Sequence, residues 1–286
     1  MTEALDWRGR VGDAWAAEWR RTDRTLAPIE GVLVDEIRLG LADVADPVIL
    51  DVGCGAGSTS LALAAALPGA RVTGIDLSEP LVAVARERAE GRADFEVADA
   101  SAWRPADGRR FDAIVSRHGV MFFADPVAAF AHLRGLGTAG LRLVFSCFRS
   151  RGENEWAAAI VPIVARLAPE ALAGPPPATG PFAFADPKRI ETILTAAGFA
   201  PPRIDPFDCD FVPGQGGTDE EAVADAIAYF RRIGPFAALL KDLDEASAAQ
   251  AIDQLAAILA DHCEYGRVRF RAAAWIVSSL PETEAP

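Results

Sequence analysis

The 286-residue sequence has few of the residues that staple, anchor or metallate a small protein. Its four cysteines, Cys54, Cys147, Cys209 and Cys263, lie far apart with no C-x-x-C pair. That spacing excludes a disulfide framework and points to reduced thiols in a cytoplasm. Cys209 with His262 and Cys263 offers no short ligand spacing, so no metal site is expected. No run approaches the length of a membrane span; Leu61–Pro68 and Ala272–Val277 are of core length. The opening MTEALDWRGRVGDAW has no basic region followed by an apolar one, so no signal peptide is expected. Basic residues are also short: 28 Lys and Arg stand against 41 Asp and Glu, a net charge of −13. A chain of that sign repels nucleic-acid backbones and anionic membranes. No G-X-Y, heptad or 20–50-residue period is found, which excludes collagen, coiled-coil and repeat architectures.

What is present is globular: 51% hydrophobic and 24% charged residues. A chain of this length buries about three quarters of its unfolded surface and needs no cross-link. Short apolar runs alternate with helical patterns. Val48–Val52, Arg71–Ile75, Phe95–Ala98, Phe111–Ser116 and Leu141–Phe148 read as strands. Ser58–Leu67 reads as a helix, as does the segment after Ser78-Glu79-Pro80 up to the stop at Gly91, and another opens at Asp125-Pro126. This alternation predicts a mostly parallel sheet covered on both faces. Further on, Ala171–Gly180 reads as a Pro/Gly loop and Asp186-Pro187 opens a helix through Ala197 that Gly198 ends. Ile204–Phe211 and Ala273–Leu280 read as strands, with helices over Glu220–Arg232 and Glu245–Cys263 and a hinge-like linker at Gly214–Gly217.

The segment VILDVGCGAGSTS, Val48 to Ser60, carries the chemistry. A buried strand runs into Gly53, Gly55 and Gly57, with a helix immediately behind. Glycines allow a tight turn and the close approach of a ligand. The helix N-terminus offers free N–H groups. Asp51 interrupts an apolar strand, where its burial costs several kcal/mol unless a partner is waiting. Asp76 ends the next strand, about 20 residues beyond the glycines, where an acidic group holds ribose hydroxyls.

Asp51-Val52-Gly53-Cys54-Gly55-Ala56-Gly57 resembles the first motif of class I S-adenosylmethionine-dependent methyltransferases. It differs from the dinucleotide G-x-G-x-x-G because Ser58 stands where the third glycine would fall, which argues against a nicotinamide oxidoreductase. Gly74–Ser78, Val97–Ala100 and Phe111–Ser116 follow in the family's order, and FDAIVSRHGVMFFADPVAAFAHL and LVFSCFRSRGENEW are similar to bacterial small-molecule enzymes of the ubiquinone/menaquinone-biosynthesis type. The resemblance implies a Rossmann-like, doubly wound α/β sheet of seven mainly parallel strands with the last strand antiparallel. It also implies one domain over 1–286: an N-terminal helical arm (1–40), a cofactor-binding core (41–148), lid or insertion helices (149–185 and 212–265), and final strands (186–211 and 266–286).

For the cofactor, S-adenosylmethionine, the family places Gly53, Cys54, Gly55 and Gly57 against the methionine part. Asp51 faces the amino group, Asp76 the ribose, Leu77 one adenine face, Asp99 and the Ala100 N–H the adenine edge, and Ser116 the methyl. Ser-Arg-His-Gly after the fourth strand, in place of Asn/Asp-Pro-Pro-Tyr, makes nucleic acids poor acceptors. The implied reaction is methyl transfer to an O, N or C nucleophile of a small metabolite or peptide. The alternative is a catalytically inactive binding protein of the same fold.

In-line displacement asks the protein for proximity, orientation and, for a protonated nucleophile, a base. His118, just past the fourth strand, is the candidate base, with an acidic limb expected near roughly pH 6.5. A structural, hydrogen-bonded histidine is the competing role for it; His132 and His262 read as structural. Arg117 and Arg149 are candidates for a substrate carboxylate, since guanidinium reads carboxylates with paired bonds. Trp7, Trp15, Trp19, Phe122, Phe123, Phe148, Trp156 and Tyr229 are candidates for an aromatic acceptor pocket.

Overall fold

The computed structural model describes residues 7–172 and 178–282. Half of the Ala171–Gly180 loop expected from the sequence, residues 173–177, therefore lies outside the described residues. The chain begins with α1 (Arg10–Ala17) and α2 (Trp19–Gly40). An alternating half follows: β1 (Val48–Val52), α3 (Ser58–Ala66), β2 (Arg71–Asp76), α4 (Glu79–Ala89), β3 (Asp94–Val97), β4 (Phe111–Arg117), α5 (Pro126–Leu136) and β5 (Gly137–Phe148). The rest comprises α6 (Glu155–Ala158), α7 (Val161–Leu167), α8 (Pro187–Ala196), β6 (Arg203–Gln215), α9 (Asp219–Phe230), α10 (Gly234–Leu240), α11 (Glu245–Asp261), β7 (Cys263–Glu264) and β8 (Arg267–Ser279).

The strands form one sheet in the order β3-β2-β1-β4-β5-β8-β6, with the two-residue β7 paired to β8 off that path. Strands β1 to β5 pair in parallel, and β8 enters antiparallel between β5 and β6. The long path thus has the seven strands expected, and β7 is an eighth. The helix starts follow from local chemistry. Ser78, Asp125 and Asp186 each accept a backbone N–H of the first turn, with proline at the first or second helical position.

Two strands are longer than their apolar runs. In β8, Arg267, Arg269 and Arg271 are exposed while Val268, Phe270 and Ala272 are buried, a period-2 pattern that a search for continuous apolar residues stops short of. At the opposite end of the path, β6 is an edge strand. Pro206, Asp208 and Asp210 point outward there and discourage pairing with another chain.

The expected hinge at Gly214–Gly217 is a correction. Gly214 lies within β6, and a Cβ there would meet the Ala222 carbonyl at 2.1 Å; one on Gly216 would meet Glu221 Cβ at 2.4 Å. The glycines allow β6 to pack tightly against α9 and give no freedom of motion.

A continuous cluster of buried residues runs from Leu26, Ile29, Leu33 and Ile37 of α2, through all the central strands, to Val277. The amphipathic α2 buries one face against the sheet. The N-terminal arm is therefore an integral wall of the core, and its first turns reach the carboxyl ends of the strands.

Candidate active site

Open α/β sheets bind ligands at the carboxyl ends of their strands where the strand order reverses. Here the order reverses between β1 and β4. A cavity of about 880 Å³ opens there, near the upper end of the roughly 300–1,000 Å³ typical of ligand sites.

Its β1–β3 side is polar. Gly53, Cys54 and Gly55 line it, with left-handed φ of +67° at Gly53 and +54° at Gly55. A Cβ on Gly55 would meet no protein atom within 4 Å, so it would project into open space beside the loop. Asp51 is 1% exposed; its Oδ2 accepts from the Ser60 hydroxyl at 2.6 Å, while its buried Oδ1 has no partner. Burial raises its pKa to about 6, against lowering by the Ser60 bond and the nearby Arg117. Asp76 accepts from the Gly55 N–H and the Ser78 N–H, each at 2.9 Å. Burial raises its pKa while those bonds lower it. Asp99 Oδ1 accepts from the Ser101 N–H and hydroxyl, which leaves Oδ2. Leu77, Asp99 and Ala100 all line the cavity.

The other side is aromatic. Trp7, Trp15 and Trp19 of the arm, Phe122 and Phe123 after β4, Phe148 at the end of β5, and Trp156, Phe211 and Tyr229 beyond it all face the cavity. His118 lies in this lining with a left-handed φ of +62°. Its Nδ1 shares a hydrogen bond with the Ser146 hydroxyl at 2.8 Å, and its buried Nε2 has no partner. Burial, helped by the Arg117 charge, lowers its pKa to about 3. The acidic limb expected near pH 6.5 is thereby corrected, because a desolvated imidazole resists protonation.

Four further expectations change. Ser116 is fully buried and outside the cavity lining; its hydroxyl donates to the Val52 carbonyl at 2.7 Å and accepts from the Gly119 N–H, tying β4 to β1. Gly57 turns away from the cavity, since a Cβ there would meet the Phe95 ring at 2.7 Å. Arg149 also lies outside the lining; it pairs with Glu153 and with Asp208 and lies over the Trp275 ring. Arg117 does line the cavity, yet it pairs with Asp23 at 3.1 Å and Glu30 at 3.4 Å, so its charge is already matched. His132 bonds the Trp103 carbonyl and His262 the Ile258 carbonyl, both structural partners.

Sequence reading missed Asp23, Arg88, Ser146 and Phe211. Asp23 also pairs with Arg88 at 2.9 Å. Arg88 covers the Trp19 ring at 3.9 Å and donates to the Ala56 carbonyl of the glycine loop at 2.6 Å. Asp23 sits among the arginines of α2, and Ser146 in a buried strand; neither carries a local signal of its role. An aromatic on the inward face of β6 is the one clue that Phe211 gave.

The Methyltransferase domain family profile matches residues 49–138. Demethylmenaquinone methyltransferase of Clavibacter sepedonicus is 32% identical over 170 residues, covering 56% of this chain and 68% of that protein. The corresponding enzyme of Thermus thermophilus is 40% identical over 99 residues, 34% of this chain and 44% of that protein. Trans-aconitate 2-methyltransferase of Paracidovorax citrulli is 47% identical over 64 residues, 22% of this chain and 24% of that protein. The last two matches thus span under half of the relatives concerned. A crystal structure from Bacillus halodurans shares the fold, with TM-score 0.51, 18% identity and coverage of 85% of this chain and 97% of that one.

The donor set fits the family's cofactor: an unpartnered carboxylate oxygen for an ammonium, a bare glycine loop for close approach, and carboxylates at the ends of β2 and β3. Taken with the Clavibacter alignment, this site makes the chain a member of the class I S-adenosylmethionine-dependent methyltransferases, in their bacterial small-molecule branch.

Proposed function

We propose that this chain transfers the methyl group of S-adenosylmethionine to an O, N or C nucleophile of a small organic acceptor, as a single-domain cytoplasmic enzyme. One observation carries the reading: the carboxylate-edged glycine loop and the aromatic wall holding His118 line the same cavity. Among the described residues no helix is long and apolar enough to cross a membrane. The names of the relatives, demethylmenaquinone methyltransferase and trans-aconitate 2-methyltransferase, point to unlike acceptors and do not choose between them.

When bound, the cofactor supplies a methyl on a positive sulfonium; the acceptor's lone pair forms the new bond as the C–S bond breaks, leaving a neutral thioether. The chain's part is to bind, orient and exclude water. Asp51 Oδ1 would receive the ammonium, Asp76 the ribose hydroxyls, and Asp99 Oδ2 the adenine amino group. Leu77 would cover the ring and the Ala100 N–H would reach its edge. The aromatic wall keeps the acceptor side dry.

His118 Nε2 would face the acceptor's reacting group. A neutral imidazole held so far from protonation is a weak base in the resting site. A hydroxyl oxygen that is gaining a methyl becomes strongly acidic, however, and even a weak base takes its proton. The proton then passes from Nε2 to solvent.

The test is direct: calorimetric binding of S-adenosylhomocysteine, then release of S-adenosylhomocysteine from S-adenosylmethionine in the presence of candidate acceptors. Binding without turnover on any acceptor would favour the inactive binding protein.

A further inference from the structure

His118 is held twice by one residue. Arg117 pairs with Ser146 across β4 and β5, and His118 follows at once with a left-handed φ of +62°. Its backbone N–H donates to the Ser146 carbonyl at 3.2 Å, and its ring folds back so that Nδ1 lies 2.8 Å from the Ser146 hydroxyl. The Phe148 ring packs beside the imidazole, with centroids 4.1 Å apart. Ser146 is fully buried in the otherwise apolar stretch Leu143–Phe148, so its hydroxyl does not reach bulk water.

The hydrogen bonds open to this pair are few. A serine hydroxyl has one proton to give and lone pairs to receive; a neutral imidazole carries one proton, on one of its two nitrogens. Burial keeps His118 neutral. Among the described residues, His118 Nδ1 is the one hydrogen-bond partner of the Ser146 hydroxyl. If Nδ1 held the imidazole proton and donated it, the Ser146 O–H would be a buried donor with no acceptor, and such a donor is costly. If the hydroxyl donates to Nδ1, both groups are satisfied and the imidazole proton sits on Nε2. His118 lines the cavity, and Nε2 is its one ring nitrogen without a partner in the chain.

For its use in catalysis this rests on the methyltransferase reading: we infer that Ser146 is a positioning residue for His118, its hydroxyl donating to Nδ1 and so placing the imidazole proton on Nε2 in the resting site. The first hydrogen bond to an acceptor is then given by the chain, from Nε2–H to a lone pair. Before Nε2 takes a proton during transfer, it releases its own to water while Nδ1 gains one, and the Ser146 hydroxyl turns to accept from Nδ1–H. A hydroxyl allows that reversal because it both donates and accepts. A carboxylate in its place would only accept, and would hold the proton on Nδ1 throughout.

The chain has three histidines, so all of them are readable in one spectrum. His132 Nε2 meets the Trp103 carbonyl and His262 Nδ1 the Ile258 carbonyl. A carbonyl only accepts, so these two are internal standards for the Nε2–H and Nδ1–H forms. The full chain labelled with nitrogen-15 histidine is measured by multiple-bond proton–nitrogen correlation at about pH 8, above the ordinary range of histidine titration. One sample is the free chain and one is saturated with S-adenosylhomocysteine. His118 is identified by the signals missing in His118→Asn. It should show the Nε2–H pattern of His132 in both samples. The Nδ1–H pattern of His262, a doubly protonated ring or averaging between two forms would overturn the inference. In Ser146→Ala the His118 Nδ1 resonance should move, because its lone pair loses a donor; in Ser146→Thr, which keeps a hydroxyl, it should stay near its wild-type position. An unmoved Nδ1 in Ser146→Ala would also overturn the inference. The wild-type spectrum needs no variant, so poor folding of either substitution does not shelter it. Both variants should bind S-adenosylhomocysteine within about twofold of the wild type, since Ser146 lies outside the cavity lining. A larger fall would show that Ser146 acts through the fold and not through His118. Failure of S-adenosylhomocysteine to bind the wild type would overturn the methyltransferase reading instead, and the free-chain spectrum would still decide the tautomer.

Discussion

The two sides of the cavity are built in opposite ways. The glycine-loop side takes its groups from three consecutive β-strand ends, Asp51 to Ala56, Asp76-Leu77 and Asp99-Ala100, and presents backbone and carboxylates. The aromatic side gathers single residues from the arm, from the loop after β4, from β5 and from three elements beyond it. A ligand shared by a whole family can be held by backbone geometry, which a short contiguous motif encodes. A ligand particular to one member is met by side chains, which any element near the opening can supply. The arm joins the two sides, because Asp23 binds both Arg88, which reaches the glycine loop, and Arg117, which follows β4.

The comparison can be broken most sharply at Gly55. A valine there must adopt a left-handed φ and projects its side chain into the space beside the loop. Calorimetry should find S-adenosylhomocysteine binding lost in Gly55→Val, while far-ultraviolet circular dichroism still reports the folded chain. Normal binding would reduce the loop to a turn.

Asp76 sharpens it next. If Asp76 served only the ribose, its removal would leave stability nearly unchanged. The structure adds that Asp76 holds two backbone N–H groups of the protein itself. Asp76→Ala should therefore cut cofactor affinity at least about tenfold and also lower the apo melting temperature by several degrees, since each unmade bond costs about 1–3 kcal/mol. An unchanged melting curve would show that those two bonds carry little.

His118 tests the aromatic side. His118→Asn should reduce kcat by about 10²-fold with cofactor affinity within about twofold, the size expected for a lost base. The wild-type rate should show no limb near pH 6.5 from this residue. Its lowered folded pKa has a second consequence. The unfolded chain binds a proton here between about 6.5 and about 3 and the folded chain does not, so stability contributed by neutral His118 is present above pH 6.5 and falls as pH drops. A denaturation series from pH 7 to pH 5 should show that slope, flattened in His118→Asn.

Asp51 gives a smaller, opposite-side effect. Its pKa raised to about 6 means that acidification below about 6 removes the charge proposed to meet the ammonium. Cofactor affinity should be full at pH 7.5 and fall as pH passes below 6. The smallest effect is expected at Arg149, which lies outside the cavity lining. Arg149→Met should leave kcat/KM within about twofold, and a larger fall would return it to the acceptor site.

Much of the first side was legible before any coordinates. Strands β1 to β5 announce themselves as apolar runs, and capping residues mark the helix starts. The motif placed Asp51, Gly53, Cys54, Gly55, Asp76, Leu77, Asp99 and Ala100 together. Less was legible where a role depends on which way a residue faces. Ser116 and Gly57 belong to the same motifs, but one fastens β4 to β1 and the other packs on Phe95. The glycines of Gly214–Gly217 looked free in sequence, yet a Cβ on Gly214 would meet its neighbour more closely than at any other described glycine, because a missing Cβ allows either mobility or close approach.

By itself the sequence determined the sheet, the turn that follows β1 and the carboxylates around it, because hydrophobic period and backbone permissiveness are local properties. The tertiary structure decided what depends on distant neighbours. It matched the charge of Arg117 with two acids of α2, carried Arg149 away to Asp208, and stacked Trp156 on Phe211. It also buried His118 against Phe148, where desolvation, a property of the whole surrounding shell, sets its protonation.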